Sequence, residues 1–192
     1  MSALAQRGPV QRGLALVSSL LLLLAVSILA VAMFRRSGVG EQIAGATRDK
    51  QRALHAAETA QQYAEWYLSS GNATAPTNCG AVLVVTSAGQ GQICQLRLTD
   101  LTQDVTQLPW QSAGADVGVD YAPPGMLLNP AGGAGMYTAA PRFYISYLGP
   151  ARGGKGAVYQ IDAVGYGGRP DTVAIVESTY RVAPPATDLG GL

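Results

Sequence analysis

Leu14 to Phe34 reads LALVSSLLLLLAVSILAVAMF, 21 residues without a charge and broken only by Ser18, Ser19 and Ser27. A bilayer core of about 30 Å needs roughly 20 apolar residues at about 1.5 Å rise each, so this run predicts a membrane-spanning helix over residues 14–34. It is too long for an ordinary secretory h-region, so ordinary signal peptidase processing is not expected. The serines do not oppose this reading, because each hydroxyl can bond to a carbonyl one turn back. Arg7 and Arg12 precede the run without any acid, which favours a cytoplasmic N-terminus, while Arg35 and Arg36 on the far flank pull the other way.

Downstream, Glu41 to Leu68 reads EQIAGATRDKQRALHAAETAQQYAEWYL and contains no proline. Leu54, Ala57, Ala64 and Leu68 fall on one helical stripe, with Arg52, Glu58 and Glu65 assigned to the opposite face. The apolar helix is therefore predicted to continue to about residue 70 as an amphipathic outer half (35–70), a rod on the order of 80 Å in all. Gly38, Gly40 and Gly45 are its weak points, each costing about 1 kcal/mol relative to alanine. The outer stripe must pack on something, and the C-terminal part is the obvious partner.

After Gly71 the composition turns to proline, glycine and β-branched residues and the period becomes two, which predicts a β-rich head over 71–192. Val82–Thr86 and Gln92–Leu98 read as a hairpin around Ser87–Gly91, and Phe143–Leu148, Ala157–Gly165 and Thr172–Val182 as an antiparallel meander. Asp100 to Ala140, rich in proline and glycine, reads as a long loop and a possible interaction surface. The fold class expected is α+β, a long helix packed on a C-terminal antiparallel sheet.

The chain has 192 residues, room for one small head once the anchor is subtracted. A formal net charge of +1 gives no long-range field for nucleic acid, so no nucleic-acid partner is expected. Cys79 and Cys94, 15 residues apart with no histidine nearby, are expected to form a disulfide outside the cytoplasm; two separately buried thiols are the alternative. No catalytic, cofactor or metal constellation assembles. His55, the single histidine, reads as a helix residue, and Gly153-Gly154-Lys155-Gly156 lacks the rest of a phosphate loop and reads as a turn. Asp100, Asp104, Asp116 and Asp120 match no EF-hand spacing, and Phe143, Tyr144 and Tyr147 read as sheet residues rather than a stacking platform. The expectation is a protein that is not an enzyme and takes no cofactor.

Gln11-Arg12-Gly13 stands directly before Leu14. A basic residue, a glycine and then an unbroken apolar helix resemble the class III leader of type IV prepilins. Glu41, Ala44, Asp49, Ala53, Ala56, Ala57 and Glu58 fall in step with the helix pattern of the PilX-type minor pilins, E-x-M-A-x-N-x-x-D, then alanines, then A-A-E. Ile43 and Ala46 depart from it. Towards the C-terminus the resemblance rests on general layout and on Gly165-Tyr166-Gly167-Gly168 followed by a strand ending Ser178-Thr179-Tyr180-Arg181.

The resemblance implies a pilin-like lollipop with a leader over residues 1–13. A prepilin peptidase would cut between Gly13 and Leu14, and Leu14 would become an N-methylated terminus; an uncleaved signal anchor is the alternative. Glycine suits the cleavage position because, without a β-carbon, it lets the backbone lie extended in a narrow cleft. The resemblance further implies a minor pilin in the bacterial inner membrane, its head in the periplasm, joining the pilus with other minor pilins and the major pilin. Cell adhesion and twitching motility would be the processes it serves. Ser18 stands where major pilins carry a glutamate, which implies a place in a priming or tip complex. Two other readings are a type II secretion pseudopilin and a single-pass periplasmic binding module that uses the 100–140 segment.

Overall fold

The computed structural model describes residues 11–72, 74–102 and 104–183, and for residues 11, 12 and 34–39 the main chain only; the first ten residues of the expected leader lie outside this range. The elements, in chain order, are α1 (Gln11–Ser69), β1 (Val82–Val84), β2 (Ile93–Cys94), α2 (Leu98–Leu101), β3 (Gln111–Ser112), β4 (Ala115–Asp116), β5 (Gly118–Asp120), β6 (Arg142–Pro150), β7 (Ala157–Tyr166) and β8 (Val173–Val182). The chain divides between Ala46 and Thr47 into two compact units.

The described residues of the first unit are helix. α1 runs uninterrupted through Gly38, Gly40 and Gly45. Its stretch Gly13–Met33 is long and apolar enough to cross a membrane, and none of it is buried. Ser18, Ser19 and Ser27 satisfy their hydroxyls on their own helix, donating to the carbonyls of Ala15, Leu16 and Leu23 at 3.0, 2.9 and 2.8 Å.

In the second unit the C-terminal part of α1 packs on a sheet, giving the α+β architecture. The buried apolar residues of the helix are Ala53, Ala56, Ala57, Ala60, Ala64, Tyr67 and Leu68. Leu54 does not belong to this stripe, being 39 % exposed. It lies about 100° around the helix from Ala53, which takes the inward place. Small side chains here let the helix backbone approach the strands closely, and the larger Tyr67 and Leu68 are buried at its C-terminal end.

The main sheet has the order β1-β5-β6-β7-β8, and β2 also pairs with β6. β6, β7 and β8 form the expected antiparallel meander, with a register shift between Tyr147 and Gly149. One edge of β6 is shared: β5 takes Arg142 and Phe143, and β2 takes Ile145 and Ser146. β1 on β5 and β2 on β6 are parallel, so the sheet is mixed.

The hairpin expected from Val82–Thr86 and Gln92–Leu98 does not form, because its two arms have different partners in the sheet. The turn between them is held by a side chain: Gln90 Oε1 accepts from Thr86 N at 2.7 Å, Thr86 Oγ1 at 3.1 Å and Ser87 N at 3.0 Å. Pairing β2 with β6 fills an edge that β5 is too short to cover. It also buries Ile93 in the core under α1 and Cys94 in a second core.

That second core corrects the reading of residues 100–140 as a loop in its first half, while 121–140, without helix or strand, agrees with it. The sheet face away from α1 carries Tyr144 and Val164, and over them lie Cys79, Cys94, Leu98, Trp110 and Val117. Trp110 is fully buried and donates its indole N–H to Val105 O at 2.8 Å. A sheet apolar on both faces needs two covers, and the segment through α2, β3, β4 and β5 supplies the second.

Candidate assembly interface

The residues of the helix pattern and of the glycine turn meet in one place. Asp49 Oδ1 accepts from Gly168 N–H at 2.6 Å. Burial opposes ionisation of this carboxyl, but the amides of Gly168 and Arg169, the Thr172 hydroxyl and the Arg52 guanidinium outweigh it and hold the pKa below the ordinary value. Lys50 Nζ donates to Val173 O, at the start of β8. One turn on, a β-carbon at Gly165 would overlap Ala53 O and Ala57 N, so helix backbone lies directly on strand backbone. Gly167 is packed against the Asp49 carboxylate, where a β-carbon would come within 2.9 Å of both oxygens.

Arg52, expected on the outward face, is turned inward instead. Its Nη2 donates to Met136 O at 2.6 Å, and its guanidinium sits 4.7 Å from the centroid of Tyr137. Arg52 thereby ties α1 to the segment between β5 and β6. The signal available in the sequence was its position three residues after Asp49, on the same helix face.

Of the other pattern residues, Glu41 and Ala44 are exposed, Ala56 and Ala57 are buried, and Glu58 Oε2 lies 3.2 Å from His55 Nδ1 on the helix surface. Gly13 lies in α1 with open space around it, and Leu14 is 78 % exposed. Cys79 and Cys94 are bonded across a Cα–Cα distance of 5.4 Å. The bridge reinforces two main-chain bonds, Thr77 N to Ile93 O at 2.8 Å and Gln95 N to Thr77 O at 3.0 Å. It thus fastens the chain after α1 to the strand that completes the edge of β6.

The four aspartates considered for a cation are apart in role. Asp120 receives Arg142 through Nε at 2.6 Å and Nη2 at 3.2 Å, with Asp116 3.7 Å from Nη1. Asp100 accepts from Arg97 N and Asp104 from Thr106 N, each within its own turn. Phe143 faces the core under α1 whereas Tyr144 faces the second core, so the aromatic trio is split between the two faces of the sheet. Residues 151–156 form the β6–β7 turn, closed by Ala151 N to Gly156 O at 3.0 Å.

One buried carboxyl escaped sequence reading. Asp162 is fully buried on β7, and burial pushes its pKa up to about 6 against the hydrogen bonds from Gln160 Nε2. Glu177, its cross-strand neighbour, pushes in the same direction. Tyr63 stacks on Tyr121 at 4.1 Å with Trp66 tilted against it, and two clefts of about 230 Å³ flank Pro124 beside α1.

No curated protein and no solved structure matches this chain. Two family models do. The one described as PilX N-terminal matches residues 12–61, covering the apolar span and the Asp49 to Glu58 pattern. The one described as Type IV pilus assembly protein PilX C-term matches residues 59–182, from the end of that pattern through β8. Together they take in both halves of the helix–turn contact, and the chain belongs to the PilX family of type IV pilus assembly proteins.

Proposed function

We propose that this PilX-family protein is a minor pilin that acts in a priming or tip-associated complex of the type IV pilus. The observation that carries the proposal is the uncharged span Gly13–Met33, every residue of it unburied, with Ser18 satisfied on its own helix. Such a helix needs an apolar surrounding, first a bilayer and then a filament core. In a lipid-like core an unpaired charge costs several kcal/mol, so shaft subunits need an acid to meet a neighbour's terminal amine. Ser18 brings no acid, which suits a subunit at one end of the filament. The protein does its work by contact with other minor pilins and the major pilin, not by turning over a substrate.

The same reading has residues 1–13 removed by prepilin peptidase between Gly13 and Leu14, and Leu14 then methylated. Before assembly the protein would stand in the inner membrane with its N-terminus in the cytoplasm and residues 71–192 as a periplasmic head. An oxidising compartment agrees with the Cys79–Cys94 bond. Deleting the gene and counting surface pili, then labelling purified pili for this protein, tests the assignment. Loss of most pili, with label confined to one filament end, is the expected result. Normal piliation without the protein, or dense label along the shaft, would overturn it.

A further inference from the structure

β8 is the outermost strand of the main sheet, and among the described residues its outer edge is open over almost its whole length. Thr172 O accepts from Gly167 N–H at 2.8 Å, in the same register that pairs Ala157 with Val182 at the other end. Antiparallel strands alternate, so the main-chain groups of Ala174, Val176, Ser178, Tyr180 and Val182 point to β7, and those of Val173, Ile175, Glu177, Thr179 and Arg181 point away. Of the outward carbonyls only Val173 O meets a partner, Lys50 Nζ. Among the described residues, the N–H and C=O groups of Ile175, Glu177, Thr179 and Arg181 meet none.

Proteins usually blunt such an edge by shortness, a proline, a bulge, an inward charge or a cover. β8 has ten residues, no proline and an unbroken ten-pair register with β7. Its charges, Glu177 and Arg181, are exposed on the face away from α1 and leave the other face uncharged. On that other face Val176, Tyr180 and Val182 are only partly buried. Arg181 Nη2 reaches Lys155 O at 3.1 Å, which brings Arg181 to the β6–β7 turn with exposed Arg152 and Lys155. No acid pairs with these three cations among the described residues.

We infer that the outer edge of β8 receives an extended segment of a different pilus subunit as a further strand of the sheet. Main-chain hydrogen bonds to residues 175–181 provide the pairing. Apolar side chains on one face of the segment cover Val176, Tyr180 and Val182, and an acidic end lies beside Arg181, Lys155 and Arg152. The inference rests on the protein acting by contact with other pilus subunits.

The test uses the full chain, in cells that make pili, with a photocrosslinking amino acid replacing Thr179. The expected product joins this chain to an extended segment of another pilus subunit. Losing strand pairing and its charge contact should cut the product about tenfold in Arg181→Glu and in Ile175→Pro. Ile175→Pro removes an outward N–H and spares the bonds to β7, but it also removes a side chain packed against the second core. Ile175→Ala, which keeps the N–H, serves as its control and should leave the product undiminished. No crosslink, a crosslink only to a second copy of this chain, or a product undiminished in both variants would overturn the inference. If pili form normally without the protein, the functional reading has failed; if they require it but Thr179 crosslinks to no other subunit, only the edge has.

Discussion

Two aspartates of the same unit respond to pH in opposite senses. Asp162 has its folded-state pKa raised from 3.8 to about 6 by burial, so the fold holds its proton more tightly than the unfolded chain does. Its contribution is most favourable below the unfolded value and is lost as pH rises through about 6. Asp162→Asn should therefore stabilise the detergent-extracted protein by ~3 kcal/mol in denaturant melts at about pH 8 and leave acid melts near pH 3 unchanged. Asp49 behaves the other way, with its pKa held low, so its stabilisation is present above 3.8 and is lost as pH falls through the folded value. Asp49→Ala leaves the buried Gly168 amide without its acceptor and should cost about 1–3 kcal/mol at neutral pH, measured in the same melts. Asp49 was visible beforehand because it belongs to the helix pattern. Asp162 was not, since nothing in Ala157–Tyr166 says which face of the strand a second layer will cover.

Between elements, the fold depends on how closely α1 can approach β7. Gly165→Ala would drive a methyl into Ala53 O and Ala57 N, main-chain atoms that a rotamer change cannot move aside. It should cost more than about 2 kcal/mol, whereas Gly80→Ala, in open space, should leave the melt unchanged. Removing the bridge with Cys94→Ser should cost about 3 kcal/mol, seen as an earlier denaturant midpoint. The helix and the β6–β8 meander were legible because their periods are long and their pairings local. The arms of the expected hairpin were misassigned because local alternation gives a strand but not its partner, and the parallel pairing of β2 with β6 joins residues some fifty positions apart. Residues 100–140 hid Trp110 for the same reason: a cover over a sheet needs no periodicity of its own.

For the whole molecule, the apolar span and the pattern after it carried the family, and the match of both halves to PilX agrees with that reading. What the sequence could not show is how those halves meet, the contact of Asp49, Ala53 and Ala57 with Gly165–Gly168, because it exists only after α1 has packed on β7. The central claim, that this is a pilin drawn from a membrane into a filament, is tested most directly at the start of the mature chain. Mass spectrometry of the membrane-extracted protein, from hosts with and without prepilin peptidase, reads that terminus. A methylated peptide beginning at Leu14, found only with the peptidase, is the predicted result. An intact segment from Met1 through Gly13 in both hosts would contradict it.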